Sequence, residues 1–262
     1  MISVVNSRKG VLKMDKKNIL ITGASSGIGA ACALLAAERG YNLAIHYHSN
    51  SSGIKLIEKK CKEMGVSVQV LQGDLSDLND INGIFSTLDN CSFRIDALIN
   101  NAGIVDKTAR LDEMSFERLH RMFGVNLIGP ILVAKETVLR MSKRYGGAGG
   151  AIVNVSSVAA RLGSGNQWVD YAASKAALDI VTKGLSDEVA NEGIRVNGVR
   201  PGIIDTEIHA KGGAPNRAIE SAPLVPIKRA GTAKEVAEAI LFLLSDEASY
   251  ITGTNLDISG GR

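Results

Sequence analysis

Cysteine and net charge are both scarce in this chain, and each shortage excludes a class of protein. The three cysteines, Cys32, Cys61 and Cys91, lie far apart and form neither a CxxC motif nor a cluster with histidine. They predict no disulfide and no metal site, and they fit a reducing, cytoplasmic compartment. A formal net charge of +3 is too small to indicate a nucleic-acid or membrane surface.

Long hydrophobic runs are missing as well. No stretch approaches the length of a membrane span, and the first residues lack the apolar core of a secretion signal. We expect residues 1–14 to be a disordered extension, in which Met14 is a second candidate start, and residues 15–262 to form a single domain. Residues 206–226, rich in Gly, Pro and charge, predict a lid over a binding site.

Short apolar runs alternate with longer segments of helical period. Strands are predicted over residues 18–21, 42–46, 68–71, 97–100, 151–155, 195–199 and 255–258. Helices are predicted over residues 27–39, 52–64, 78–88, 112–142, 171–191 and 233–244. Strands rich in Val and Ile have both faces buried. Their alternation with helices predicts an α/β fold, a single-domain Rossmann-like, doubly wound parallel sheet of about seven strands with helices on both faces.

A glycine-rich segment joins the first strand to the first helix. Glycines there allow a tight turn and a close approach of the backbone to phosphate, and the helix start offers free N–H groups. A turn or close helix packing explains such glycines equally well in isolation, but the position after the first strand favours a dinucleotide. The cofactor-binding candidates here are Gly23, Ser25, Ser26, Gly27, Ile28 and Gly29.

The end of the second strand bears on the type of cofactor. An acidic residue there would bind the ribose of NAD and repel a 2′-phosphate. The chain instead has His48, Ser49 and Asn50, which can donate hydrogen bonds to a phosphate and favour NADP. Because no Arg or Lys stands among them, NAD stays open. We interpret His46 as a solvated strand end.

Two further strand ends supply cofactor-binding candidates. Asp74, followed by Leu75, can accept a hydrogen bond from an adenine amino group, or it can cap the following turn. Asn101, Ala102 and Gly103 follow the fourth strand, where ligands bind in sheets of this kind. A plain Asn-rich turn is the alternative.

Tyr171 and Lys175 carry the most chemistry in the sequence. Four residues apart on a helix, the phenol and the ammonium lie on one face. A free tyrosine has a pKa near ~10, and an adjacent cation favours the phenolate, so we expect Lys175 to lower the Tyr171 pKa. Such a pair can exchange a proton with a substrate oxygen. Alone, this spacing is more often an ordinary helix face, but Ser156 and Ser157 lie one loop upstream.

The motifs together resemble the short-chain dehydrogenase/reductase family over about residues 17–262. The matching segments are Thr22 to Gly29, Asn100 to Gly103, Ser157, Tyr171-x-x-x-Lys175 and Arg200-Pro201-Gly202. Within the family, the chain looks most like bacterial glucose/ribitol-dehydrogenase-like and 3-oxoacyl-carrier-protein-reductase-like members.

The resemblance implies a catalytic tetrad. Tyr171 would be the general acid/base, Lys175 would bind the nicotinamide ribose, and Ser157 would bind the substrate oxygen beside a structural Ser156. Asn126 would hold a water in a proton relay, or simply bond backbone within a helix. The resemblance also implies that Ile204 and Thr206, after Pro201 and Gly202, hold the nicotinamide carboxamide.

The resemblance implies hydride transfer between a nicotinamide and a carbonyl or secondary alcohol, without a metal, in a homotetramer, and the residues after the second strand make NADP(H) the expected cofactor. The alternatives are an NAD(H)-using sugar or polyol dehydrogenase and a non-catalytic nucleotide-sensing protein of the same fold. We expect Trp168 to form a wall of the substrate pocket, with packing at a subunit contact as the alternative. His209, Lys211 and Arg217 can meet a polar or anionic substrate, but we interpret them as solvated lid charges.

Overall fold

The computed structural model of the protein describes residues 16–207 and 212–262. The predicted extension, 1–14, and residues 208–211 of the predicted lid lie outside this part of the chain. The strands are β1 Asn18–Ile21, β2 Asn42–Tyr47, β3 Val68–Gln72, β4 Ala97–Asn100, β5 Gly150–Val155, β6 Ile194–Pro201, β7 Ile204–Asp205, β8 Gly231–Thr232 and β9 Asn255–Ile258. The α-helices are α1 Gly27–Glu38, α2 Ser51–Glu63, α3 Leu78–Asn90, α4 Phe116–Phe123, α5 Gly129–Met141, α6 Ala159–Leu162, α7 Val169–Val189, α8 Arg217–Ser221 and α9 Ala233–Leu244.

Seven strands form one sheet in the order β3-β2-β1-β4-β5-β6-β9, and every neighbouring pair is parallel. This confirms the predicted doubly wound fold. The strand order reverses between β1 and β4, which opens a crevice at the carboxyl ends of these strands. The short strands β7 and β8 pair with each other outside the main sheet, and the sequence pattern did not predict them.

Side-chain alternation along the strands feeds two separate cores. Ile19 and Ile21 of β1 pack with α1, α2 and α9, whereas Leu20 packs with α3, α5 and the C-terminal end of α7. Cys32 of α1 is fully buried in the first core, as expected for a packing residue. Because both faces of the sheet are covered, the polar edge at the strand ends is left to form a site.

The predicted helix 112–142 is divided. A 3₁₀ turn, Leu111–Glu113, precedes α4, and a π-helical turn, Gly124–Ile128, separates α4 from α5. A side chain at Gly129 would overlap the main chain of Leu75, so the helix passes directly over the loop after β3. This tertiary approach accompanies a local widening of the helix that the apolar period does not encode.

The expectation that no stretch reaches the length of a membrane span also needs correction. The helical run Phe116–Met141 is long and apolar enough by length and composition, and half of its most apolar window is buried inside the protein. Val133 and Ala134 of this run belong to the second core, against β4 and β5. We therefore interpret the run as a core helix, which passes the same test.

Candidate active site

A cleft of about 650 Å³ lies at the carboxyl edge of the sheet. Its walls come from the loops that follow strands β1 to β6, together with residues of the predicted lid and Arg262. All the residues proposed from the sequence as catalytic or cofactor-binding line this cleft except Gly29 and Asn126, which lie behind its wall.

The glycine loop after β1 is shaped by backbone geometry that only glycine accommodates. Gly23 and Gly27 have φ angles of 66° and 55°. At Gly29, an added Cβ would overlap the carbonyl oxygen of Gly23 and come within 2.5 Å of Asn101 Nδ2. The three glycines therefore serve different purposes: the first two turn the chain, and the third lets α1 pack against the loop.

The start of α1 fits the pyrophosphate of a dinucleotide. Ser26 is the N-cap, but its side chain makes no capping hydrogen bond, and the first turn contains no acidic residue. The N–H groups at the start of the helix are thus free to meet an anion, and the helix dipole favours negative charge at this end. Gly27 lies beside Thr206, so the proposed pyrophosphate site is next to the proposed site of the nicotinamide carboxamide.

Asn101 ties the end of β4 to the glycine loop. Its Nδ2 donates to the carbonyl oxygens of Thr22 at 2.9 Å and Gly23 at 3.0 Å. In return, the hydroxyl of Thr22 accepts hydrogen bonds from the backbone N–H groups of Asn101 and Ala102, at 2.9 and 3.0 Å. The asparagine side chain is therefore part of the framework that holds the loop.

The interpretation of His46 as a solvated strand end was wrong. The ring is 2% exposed and bridges two loops: Nδ1 accepts from the Gly23 N–H at 3.3 Å, and Nε2 bonds to the Gly73 carbonyl oxygen at 3.0 Å. An acceptor at Nδ1 and a donor at Nε2 define the neutral tautomer. Burial lowers the pKa of His46 to about 4, which keeps the ring neutral.

The three candidates after β2 have different environments. Asn50 is largely committed to structure, because its Oδ1 caps α2 by accepting from Gly53 N–H at 3.0 Å. His48 Nε2 lies 3.6 Å from Asp74 Oδ2 and is half exposed at the rim, and Ser49 is exposed. Asp74 accepts hydrogen bonds from the N–H and hydroxyl of Ser76, so it does cap the following turn.

Tyr171 and Ser157 meet inside the cleft. A hydrogen bond from the Ser157 side chain lowers the pKa of Tyr171, but burial raises it more, so the net shift is upward. The expected lowering by Lys175 is not what this structure gives, because Lys175 Nζ lies 5.8 Å from the centroid of the phenol ring and bonds elsewhere. The phenol is therefore protonated at neutral pH.

Lys175 is buried beneath the phenol. Its Nζ donates to the Val155 carbonyl oxygen at 2.8 Å. Burial lowers the pKa of Lys175 to about 8, while the charge of Asp179, one turn further along α7, opposes the shift. Ser156 donates to the Lys175 carbonyl oxygen at 3.0 Å, which agrees with a structural part for this serine.

Asn126 sits at the centre of the π-helical turn. Its Oδ1 accepts from Ile104 N–H at 2.8 Å, and its Nδ2 donates to the Ile104 carbonyl oxygen at 2.9 Å. The side chain therefore bonds backbone, as the simpler of the two interpretations expected. A Cβ added to Gly103 would approach Asn126 Oδ1 and Lys175 Nζ at 3.3 and 3.4 Å, so both groups lie against Gly103.

The helix that carries Tyr171 is fixed by an ion pair that the sequence patterns do not predict. Arg118 of α4 holds Asp170 with two hydrogen bonds, from Nε at 2.8 Å and Nη2 at 3.3 Å. Its Nη1 donates to the Lys107 carbonyl oxygen at 2.7 Å. The Asp170 side chain is fully buried directly before Tyr171, so the pair connects α4 and the loop after β4 to the first turn of α7.

The other end of the cleft is built around Trp168 and the segment after β6. Trp168 is 5% exposed and lines the cleft, as the pocket-wall interpretation predicts. Pro201, Gly202, Ile204 and Thr206 form the adjoining wall. A Cβ on Gly202 would lie 2.8 Å from Ser259 Cα, so the C-terminal segment packs directly against this wall.

Among residues 16–207 and 212–262, no group of His, Cys, Asp and Glu side chains is suited to a metal ion.

Comparison with known proteins gives consistent results. The model of the family described as enoyl-(acyl carrier protein) reductase matches residues 23–262. An uncharacterized oxidoreductase of Escherichia coli strain K12, YgfF, is 48% identical over 243 residues, which cover 93% of this chain and 98% of that protein. The 3-oxoacyl-(acyl-carrier-protein) reductase FabG of Thermotoga maritima is 38% identical over 251 residues, covering 95% and 99%. A solved short chain dehydrogenase from Burkholderia cenocepacia J2315 in complex with NADP has a TM-score of 0.86 at 29% identity, covering 94% of this chain and 97% of its own.

Proposed function

The chain belongs to the short-chain dehydrogenase/reductase family of oxidoreductases, and we propose that it is an NADP(H)-dependent carbonyl reductase or alcohol dehydrogenase with Tyr171 as its general acid/base. The observation that carries the proposal is the meeting of the Tyr171 phenol with the Ser157 side chain above a buried Lys175, in the cleft that also holds the glycine loop. A bound nicotinamide cofactor would supply or accept the hydride.

The proton chemistry follows from the environment of Tyr171. A phenol whose pKa is raised by burial is protonated at pH 7, which is the form that donates to a carbonyl oxygen. Ser157 and Tyr171 bind that oxygen together, and the hydrogen bond from Ser157 stabilises the phenolate that remains. Since burial brings the pKa of Lys175 to about 8, this lysine can take part in returning the proton.

The preference for NADP is supported by the sequence and geometry at the end of β2. None of the residues from Tyr47 to Asn50 is acidic, so none of these four side chains repels a 2′-phosphate. His48 and Ser49 are exposed at the rim, and the start of α2 behind them has no acidic residue in its first turn. The structural relative in complex with NADP supports the same choice. The alternative, an NAD(H)-using sugar or polyol dehydrogenase, would need the ribose to be bound without a carboxylate.

The test is turnover with each cofactor. The purified protein is assayed with NADPH and NADH against a panel of small carbonyl compounds, and Tyr171→Phe is compared with Tyr145→Phe, an exposed tyrosine outside the cleft. We expect NADPH to be preferred, and Tyr171→Phe to lose roughly 10²- to 10⁴-fold in kcat while still binding the cofactor.

Tight binding of NADH with no response to NADPH would overturn the cofactor proposal. Unchanged turnover in Tyr171→Phe would overturn the mechanism. Cofactor binding without turnover of any carbonyl would favour a nucleotide-sensing protein, the second candidate from the sequence, which the intact set of Ser157, Tyr171 and Lys175 argues against.

We also propose a cytoplasmic homotetramer. Exposed apolar side chains on α4, α5, α7 and the turn between α4 and α5 support the assembly; they are Phe116, Ile128, Ile131 and Ile180. Phe242, Tyr250 and Leu256 offer apolar surface near the C-terminal edge. Size-exclusion chromatography with light scattering measures the mass of the assembly, and a monomer would contradict this proposal.

The described cysteines are all free, which agrees with a reducing compartment.

A further inference from the structure

We call the end of the cleft that contains Trp168 the substrate end, and the end that contains the glycine loop the cofactor end. The substrate end contains two guanidinium groups that have no acidic partner among the described residues. Arg217, at the start of α8, and Arg262 both line the cleft next to Trp168. Within the described parts of the chain, neither guanidinium forms an ion pair, whereas Arg118, Arg200 and Arg229 each have a carboxylate. Residues 208–211 read Ile-His-Ala-Lys and contain no carboxylate that could serve.

Arg217 is held in place rather than solvated, which corrects the expectation for this lid residue. Its Cζ lies 4.5 Å from the ring centroid of Trp168, in a cation–π contact. Trp168 is itself fixed, because Nε1 donates to the Asp106 carbonyl oxygen at 2.5 Å. Partial burial lowers the pKa of Arg217, and the charge of Arg262, which lines the same cleft, lowers it further.

Arg262 is anchored through its main chain. Its carbonyl oxygen accepts hydrogen bonds from Arg161 Nη2 and Ser259 Oγ, both at 3.0 Å. Arg161 in turn pairs with Asp257 at 2.9 Å. These contacts occupy the main-chain oxygen of Arg262 and the charge of Arg161, and the Arg262 guanidinium has no carboxylate partner among residues 16–207 and 212–262.

The acidic side chains that line the cleft are not paired with either guanidinium group. Glu207 lines the same end, but it is exposed and forms no ion pair with Arg217 or Arg262. Asp74 and Arg121 lie at the opposite, cofactor end, where they interact with each other. Repulsion between these two partly desolvated cations raises the free energy of the empty site. Binding of an anion lowers that free energy, because it adds the missing opposite charge.

We propose, on the basis of the proposed function, that the substrate is an oxo acid whose carboxylate is bound by Arg217 and Arg262. Guanidinium groups match a carboxylate through paired, charge-assisted hydrogen bonds. Leu162, Val105 and Ile104 line the same region and provide apolar contacts for the carbon chain. Ser157 and Tyr171 bind the carbonyl oxygen at the other end of the oxo acid.

The ketone carbon accepts the hydride from the reduced nicotinamide, its oxygen accepts the Tyr171 proton, and the product is the hydroxy acid with its carboxylate unchanged.

The experiment compares each oxo acid with its own methyl ester. Straight-chain oxo acids with the ketone at successive carbons are assayed beside their esters, on the wild type, Arg217→Gln, Arg262→Gln and the double variant. Arg229→Gln, an exposed arginine paired with Glu235, is the matched control. We expect at least one acid to exceed its ester about tenfold or more in kcat/KM, and Arg217→Gln to lower that acid roughly 10- to 100-fold, mainly through KM, with the ester nearly unchanged. Equal use of acid and ester by the wild type, or equal loss of both in Arg217→Gln, would overturn the proposal.

A binding measurement separates this proposal from the proposed function. Trp168 is the only tryptophan, so its fluorescence reports directly on the contact with Arg217. With the protein saturated by the oxidised nicotinamide nucleotide that it binds, we expect an acid to change this emission and its ester not to, and the response to be lost in the double variant. A response to acids without turnover would support the anion site while contradicting the reductase. No acid-specific response would overturn the anion site, whatever the activity.

Discussion

The two ends of the cleft differ in what their polar side chains are bonded to. At the cofactor end, Asn101 and His46 use their hydrogen bonds on the backbone of neighbouring loops. At the substrate end, Arg217 and Arg262 face the cleft with no acidic partner in the described residues. The hydrogen bonds at the cofactor end stabilise the fold, whereas the charges at the substrate end are available to bind an anionic ligand. Substitutions at the first end should therefore cost stability, and those at the second should cost activity alone.

The largest loss of stability is expected where the framework reaches α7, the helix that carries Tyr171. Arg118→Gln leaves the fully buried Asp170 carboxylate without its cation, which costs about 3–5 kcal/mol in the free energy of unfolding. Urea unfolding measures the loss. The control is Arg229→Gln, whose pair with Glu235 is exposed and should contribute little to stability. Equal losses in the two variants would show that the Arg118–Asp170 pair is not part of the framework.

The next effect is expected at the cofactor end itself. In Gly29→Ala, the added Cβ meets Asn101 Nδ2 at 2.5 Å and overlaps the Gly23 carbonyl oxygen. We expect a loss of roughly 1–3 kcal/mol in stability, since backbone has to shift, together with weaker cofactor binding. In Gly83→Ala the new methyl group meets nothing within 4 Å in the exposed middle of α3, and this control should gain roughly 0.5–1 kcal/mol. A Gly29→Ala variant that unfolds and binds nucleotide like the wild type would contradict the close-packed loop.

His46 makes the stability of the cofactor end depend on pH. Its folded-state pKa is about 4, below the ordinary value of 6.5, because burial disfavours the charged ring. Above pH 6.5 both states are neutral and the contribution is complete; as the pH falls toward 4, the unfolded state binds the proton first and stability is lost. Between pH 7 and pH 5 this amounts to about 2 kcal/mol.

Unfolding in urea at both pH values, for the wild type, His46→Asn and the exposed His120→Gln, measures the contribution of the buried ring. We expect His46→Asn to show a smaller difference between the two pH values, and His120→Gln to behave as the wild type does. The same pH dependence in His46→Asn and the wild type would assign it to other groups.

The sequence predicted the sheet and the members of the cleft because both depend on local patterns. Strand periodicity, the glycine loop and the Tyr171–Lys175 spacing are each contained in a few consecutive residues. What it missed depends on contacts between distant segments. His46 looks like a solvated strand end until Gly73 and Gly23 are placed on either side of it, and the helix holding Asn126 looks continuous until Ile104 is placed against it.

Charge was the hardest property to predict for the same reason. In sequence, Arg217 is one more polar residue of a lid, and nothing near it shows that Trp168 and Arg262 will surround it. The pKa of Tyr171 was likewise predicted in the wrong direction, since the spacing to Lys175 is local but the burial that dominates the shift is not.

The smallest effect on stability is expected at the substrate end, and it is the sharpest test of the difference between the two. Arg217→Gln removes a cation–π contact worth about 0.5–1 kcal/mol, but it also removes repulsion from Arg262 and the cost of a partly buried charge. These terms oppose each other, so the free energy of unfolding should change by less than about 0.5 kcal/mol. The measurement is urea unfolding beside Arg118→Gln. A loss of several kcal/mol in the free energy of unfolding of Arg217→Gln would mean that this arginine belongs to the framework. The polar side chains at both ends of the cleft would then stabilise the fold.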